Sequence, residues 1–107
     1  MAVIHATGEN FAELTDTTYA VVDVYSDQCG VCVMLEPHFL QQSNEFPMVK
    51  FIKLNASSYP EFNEKLGVTG YPTVLYYYRG REVFRELGFD DRKLMDHDLA
   101  RLLYGKE

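Results

Sequence analysis

With 107 residues, of which 47% are hydrophobic, the chain is long enough to bury one core, and we expect a single domain spanning residues 1–107. Its formal net charge of -6 disfavours partners such as nucleic acids or anionic membranes, because both would repel the chain. No apolar run approaches the length of a membrane span, and the first residues lack the charge and length of a signal peptide, so we expect a cytoplasmic protein.

The first half of the chain predicts strands that alternate with helices. The sequence pattern places a brief strand at 3–4, a short helix that opens at 8–10 and ends near 15–18, a strand at 19–25, a helix from 29 to about 45 and a strand at 48–54. The strand at 19–25 is almost continuously apolar, which indicates burial on both faces, as in a parallel sheet. Asp23 is the exception within it. In the helix that follows, Pro37 predicts a kink.

The second half of the chain predicts a helix, a hairpin and a closing helix. The expected elements are a helix at 60–66, a turn at 67–70, a strand at 73–78, a tight connection at 79–81, a returning strand at 82–87 and a helix that starts at 90–91. The full order is therefore βαβαβαββα. Strands that alternate with helices and then form a hairpin predict an α/β fold of three layers, with helices on both faces of the sheet.

Both cysteines of the chain, Cys29 and Cys32, lie where the strand at 19–25 gives way to the next helix. With two residues between them, they can close a disulfide within one turn and reopen it. The first thiol lies among the unpaired N–H groups of a helix N-terminus, where partial positive charge favours the reactive thiolate. Because structural disulfides are rare in a reducing cytosol, such a pair is more often catalytic or metal-binding.

A metal site is the less favoured interpretation of the two cysteines. Zinc requires four ligands, and the remaining candidates, His5, His38 and His97, are far away in the sequence. An iron–sulfur cluster shared between two chains needs an external ligand and stays a less favoured alternative. We therefore expect no metal and no cofactor.

Several features of the chain occur together: a Cys-x-x-Cys site at 29–32, an acid in the strand that precedes it (Asp23), a proline in the helix that follows it (Pro37), a lysine in the next strand (Lys53), a Gly-Tyr-Pro-Thr turn at 70–73 and a late glycine (Gly88). In these features the chain resembles the thioredoxin family over essentially its whole length, including the family's buried acid and the turn that bears its cis-proline. Three positions depart from the family pattern. Gln28 stands where Trp is usual, Val31 replaces the proline of the motif, and Val33 replaces a common lysine.

The resemblance implies a fold and a set of residue roles. The implied fold is a central mixed sheet of about five strands flanked by about four helices. Cys29 would be the nucleophile and Cys32 the resolving thiol, with Gly30, Val31, Lys53 and Pro37 in support. Substrate-binding positions would be Gln28, Gly70, Tyr71, Pro72 and Gly88.

Asp23 and Pro72 each have an ordinary and a functional interpretation. Asp23 is either an acid that reaches solvent from an edge strand or a buried carboxyl with a raised pKa, and an acid in so apolar a run favours the second. We expect it to take the proton of Cys32. Most X-Pro bonds are trans, but the resemblance implies a cis bond at Pro72, which would leave the backbone of Tyr71 free to pair with an extended substrate.

Our leading hypothesis is a protein-disulfide oxidoreductase, acting in electron transport and cell redox homeostasis, that cycles between dithiol and disulfide. Its partners would be disulfide-containing proteins and an upstream thiol or flavoprotein reductase. Two alternatives remain: an interaction module whose cysteine pair is a redox-sensing switch, and a glutaredoxin-like enzyme that uses glutathione. We rank the last lower, because no cluster of basic residues accompanies the motif.

Overall fold

In a computed structural model of the protein, the residues described are 3–105. Its nine elements follow the predicted order: β1 (Val3–His5), α1 (Phe11–Thr15), β2 (Tyr19–Tyr25), α2 (Gly30–Glu45), β3 (Lys50–Asn55), α3 (Pro60–Leu66), β4 (Thr73–Tyr78), β5 (Arg81–Leu87) and α4 (Arg92–Tyr104). The predicted α/β class and the order of strands and helices are confirmed.

The strands form one mixed sheet in the order β1-β3-β2-β4-β5. β3 pairs in parallel with both β1 and β2, whereas β4 runs antiparallel to β2 and to β5. β2 is thus central. The carboxyl ends of β2 and β3 meet the start of β4 at one edge of the sheet, which is where the chain after β2 and the turn before β4 come together.

Helices cover both faces of the sheet, and each face has its own apolar core. On one face, Phe11 of α1 and the partly buried Phe62 of α3 pack against side chains that include Val22 and Val24 of β2. On the other, Leu35 of α2 and Leu99 of α4 pack against a second set, which includes Val21, Phe51 and Val74. This is the three-layer arrangement that the sequence predicts.

Strand alternation determines where the one acid of β2 points. Successive side chains of a strand face opposite sides, so Asp23 shares the face of Val21, which is the face covered by α2 and α4. By the same rule, Lys53 shares the face of Phe51 on the neighbouring β3. Asp23 and Lys53 are also direct partners in the register of β2 and β3. The fold therefore brings a carboxyl and an amine together under α2.

The predicted start of β3 was wrong by two residues. The strand begins at Lys50 rather than at 48, because the preceding residues form a turn in which the N–H of Val49 donates to the carbonyl of Phe46 at 3.0 Å. β5 begins at Arg81, one residue earlier than expected. Pro37 lies inside α2, as expected.

Candidate active site

Cys29 and Cys32 form a disulfide at the start of α2, with their Cα atoms 5.3 Å apart. Cys29 is the N-cap of this helix, and its sulfur accepts a hydrogen bond from the N–H of Cys32 at 3.2 Å. The two residues differ in accessibility, since Cys29 is half-buried and Cys32 is only 7% exposed. Cys29 is therefore the more accessible cysteine of the pair.

The turn before β4 lies directly against the Cys29 sulfur. The Tyr71–Pro72 bond is cis, and the carbonyl oxygen of Tyr71 lies 3.8 Å from Cys29 Sγ. The Tyr71 hydroxyl accepts a hydrogen bond of 2.6 Å from Nδ2 of Asn63, a buried residue of α3. Backbone polar groups of this turn are thus held beside the disulfide.

Two glycines shape the contact between this turn and the end of β5. A Cβ on Gly70 would lie 2.9 Å from Cδ1 of Leu87, so any larger residue there would have to displace the exposed end of that side chain. Gly88 has a φ of +88°, which L side chains rarely adopt. Its N–H donates to the carbonyl of Pro72 at 2.7 Å. The turn is therefore fixed to β5 as well as to α3.

Asp23 is buried near the centre of the sheet, with 1% of its surface exposed. Within residues 3–105, neither of its carboxyl oxygens has a hydrogen-bond partner. Burial raises the pKa of Asp23 from its usual 3.8 to about 7, against the lowering effect of the Lys53 ammonium and with a further raising effect from the Glu36 carboxylate. Asp23 is thus a carboxyl that can gain or lose a proton near neutral pH.

A cleft of about 470 Å³ opens between the disulfide and the carboxyl ends of β2 and β3. The cleft is lined by both cysteines and by residues of β1, β2, β3, α2 and the connection between β2 and α2: His5, Tyr25, Ser26, Gln28, Gly30, Val33, Glu36 and Lys53. Asp23 does not line this cleft, in keeping with its burial.

The structure places the remaining predicted site residues at different distances from the disulfide. Gln28 and Val31 are exposed beside it, and Gln28 has a left-handed backbone with φ of 58°, which is uncommon for a residue other than glycine. Gly30 opens α2 and lines the cleft. Pro37 lies further along α2 and is not among the cleft residues, so it is not brought to the site.

Sequence reasoning missed Glu36, whose carboxylate binds the Lys53 ammonium at 2.7 Å. The spacing in the sequence could have identified Glu36, because it follows Cys32 by four residues and so lies one helical turn away on the same face of α2. His5 and Tyr25 were also missed as cleft residues. Their positions depend on the pairing of β1, β2 and β3, which a single sequence does not specify.

Among residues 3–105, no three His, Cys, Asp or Glu side chains lie close enough together to hold a metal ion. None of the helices in the same range is long and apolar enough to cross a membrane.

Comparison with known proteins gives the same picture. The family model for thioredoxin matches residues 2–100. A thioredoxin of Chlamydia muridarum is 33% identical over 84 residues, which cover 78% of this chain and 82% of that protein. The mitochondrial thioredoxin-2 of Schizosaccharomyces pombe is 30% identical over 91 residues, covering 85% and 68%. The crystal structure of thioredoxin f2 from Chlamydomonas reinhardtii superposes with a TM-score of 0.85 at 26% identity, covering 98% of this chain and 99% of that one.

These findings and the disulfide at Cys29 and Cys32 agree on the fold and on thiol–disulfide chemistry. The expected fold of five strands and four helices and the expected thiol–disulfide activity are both confirmed. The chain belongs to the thioredoxin family and is a protein-disulfide oxidoreductase.

Proposed function

We propose that Cys29 carries out the first step of disulfide exchange and Cys32 the second. The Cys29 thiolate attacks one sulfur of a substrate disulfide, forming a mixed disulfide and releasing one substrate thiolate. The Cys32 thiolate then attacks Cys29 Sγ, which releases the second substrate thiolate and closes the Cys29–Cys32 disulfide. The substrate gains two electrons and the protein loses two. The observation that carries this assignment is the difference in exposure between the two cysteines.

We infer that Asp23 takes the proton of Cys32 when the mixed disulfide is resolved. A general base works best when its pKa lies near the operating pH, and burial raises the pKa of Asp23 to about 7. Asp23 also lies on the sheet face that α2 covers, the helix that carries Cys32. The transfer is either direct or passes through a water molecule.

The cis-proline turn is the proposed docking site for the substrate chain. The Tyr71 carbonyl lies 3.8 Å from the Cys29 sulfur, so an extended segment paired with this backbone would present its disulfide to the nucleophile. The hydrogen bond from the N–H of Gly88 to the carbonyl of Pro72 holds the turn against the end of β5, and Gln28 is exposed beside the disulfide.

The proposed setting is a single-domain cytoplasmic carrier of electrons. A disulfide that must reopen in each cycle suits a reducing compartment, where a thiol or flavoprotein reductase can return two electrons to the cysteines. The substrates would be disulfide-containing proteins.

The two steps can be separated with two serine variants. Cys32→Ser keeps the nucleophile and removes the resolving thiol, so it should accumulate mixed disulfides when mixed with an oxidised protein substrate. Cys29→Ser should accumulate none. Non-reducing gel electrophoresis with mass spectrometry of the trapped species reads both results. Trapping by Cys29→Ser alone would reverse the assigned roles.

A further inference from the structure

The ammonium of Lys53 is engaged by a residue other than its partner in the sheet. Lys53 faces Asp23 across β2 and β3, yet its Nζ lies 2.7 Å from Oε2 of Glu36 and 4.5 Å from the centre of the Tyr25 ring. The Lys53 side chain is 10% exposed, whereas that of Glu36 is 56% exposed. Glu36 therefore reaches from the surface of α2 into the cleft to bind a buried cation.

We propose that Glu36 is a positioning residue that holds the Lys53 ammonium at the wall of the cleft, so that it does not form an ion pair with Asp23. Both carboxyl oxygens of Asp23 lack a hydrogen-bond partner within residues 3–105, although the amine is adjacent in the register. A buried cation with one carboxylate already bound offers less attraction to a second one.

The charges around Asp23 act in the direction that this arrangement requires. Lys53 lowers the pKa of Asp23 and Glu36 raises it, each less strongly than burial does. Among the other elements packed on this face, α4 contributes apolar side chains such as Leu99 to the core. β1 contributes His5, which faces Lys53 in the register, and β4 contributes the apolar Val74, which faces Asp23.

The remaining groups near Lys53 are Tyr25 of β2 and the two cysteines of α2, which are bound in a disulfide here. Glu36 is thus the only carboxylate among the described residues that line the cleft.

The consequence for catalysis rests on the proposed role of Asp23 as the base for Cys32. If Lys53 were free to pair with Asp23, the carboxyl would ionise at lower pH and would be a weaker base. Glu36 keeps the titration of Asp23 near neutral pH, where a base for a thiol is effective.

The test is to follow the Asp23 carboxyl carbon by NMR as a function of pH in the oxidised protein. In Glu36→Gln the midpoint should fall by about one pH unit, because the carboxylate that repels Asp23 is gone and Lys53 is released toward it. Glu64→Gln, which removes the same charge from the exposed surface of α3, is the matched control and should leave the midpoint unchanged. An unchanged midpoint in Glu36→Gln overturns the proposal.

A second pair of variants tests whether Glu36 acts through Lys53. In a Lys53→Met background, Glu36→Gln should shift the midpoint clearly less than it does in the wild-type protein. An equal shift in both backgrounds would mean that Glu36 acts only as a distant charge, which contradicts the positioning role.

The rate of mixed-disulfide resolution against pH separates this inference from the proposed function. In Glu36→Gln the rate profile should move to lower pH together with the NMR midpoint. If the NMR midpoint moves and the rate profile does not, Glu36 positions Lys53 as proposed, but Asp23 is not the base.

Discussion

Replacing Asp23 with asparagine should make the protein more stable at neutral pH and remove part of its pH dependence. The pKa of Asp23 is raised from 3.8 to about 7 on folding. Between these values the unfolded chain has lost the proton while the folded protein keeps it, so stability falls as the pH rises. A gap of about 3 pH units corresponds to about 4 kcal/mol, at 1.36 kcal/mol per unit.

The sign of the effect follows from the two end states. Well below pH 3.8 the carboxyl is protonated in both states, so folding carries no cost for a buried charge. Well above pH of about 7 it is ionised in both states, and the full cost of the buried charge lowers the free energy of unfolding. Asparagine has no proton to lose in this range. The stability of Asp23→Asn relative to wild type should therefore increase by about 4 kcal/mol between about pH 3.5 and about pH 8, whatever the constant cost of the buried amide.

Urea unfolding of the oxidised proteins at several pH values measures this difference. Asp90→Asn makes the same chemical change at an exposed position and serves as the control. If the difference between Asp23→Asn and wild type does not vary with pH, the pKa of Asp23 is the same in the folded and the unfolded protein, which would contradict the raised value. The same variant should release mixed disulfides more slowly, so that stability and activity change in opposite directions.

Three further predictions concern the residues around the sulfur. The alkylation rate of reduced Cys29 should reach half its maximum below pH of about 8.5, the value for free cysteine, and a midpoint at or above it would contradict the effect of the helix N-terminus. Val31→Pro removes an N–H in the first turn of α2 that could donate to the Cys29 thiolate. The midpoint of Cys29 alkylation should therefore rise, and the reduction potential in glutathione buffers should fall by at most about 30 to 60 mV. No change in either quantity would show that Val31 donates nothing to the thiolate. Tyr71→Phe removes the hydroxyl that accepts from Asn63, and should lower the free energy of unfolding by about 1 kcal/mol. The control is Tyr59→Phe, because the Tyr59 hydroxyl has no hydrogen bond among residues 3–105, and this variant should keep the wild-type free energy of unfolding. Equal losses of stability in the two variants would mean that the hydrogen bond from Asn63 to Tyr71 contributes nothing.

Local sequence patterns were sufficient for most of the fold. The apolar run at 19–25 predicts a buried strand, and it is the central β2 of the sheet. The hairpin of β4 and β5 follows from alternation and a turn at Arg79 and Gly80. The start of β3 was missed because the turn hydrogen bond that excludes 48–49 joins Val49 to Phe46, and nothing in the apolar pattern separates these residues from the strand.

The site was less predictable wherever it depends on contacts between distant parts of the chain. The Cys29 and Cys32 pair is visible in the sequence because its chemistry needs only a spacing of three and a helix start. The ion pair of Glu36 and Lys53 requires that α2 cover β3, which follows from strand order rather than from either local sequence. Residue propensities alone favour a trans bond at Pro72, and only the family resemblance implied the cis bond that the structure has.

The Cys29 and Cys32 pair should catalyse the turnover of protein disulfides rather than act as a stoichiometric switch. The most direct measurement is the number of disulfides in an oxidised protein substrate that each chain reduces when excess dithiothreitol supplies the electrons. The wild-type protein should complete many cycles per chain, at a rate proportional to its concentration, and Cys29→Ser should do no better than dithiothreitol alone. Reduction that stops at one disulfide per chain, or that proceeds only when glutathione is present, would contradict the account.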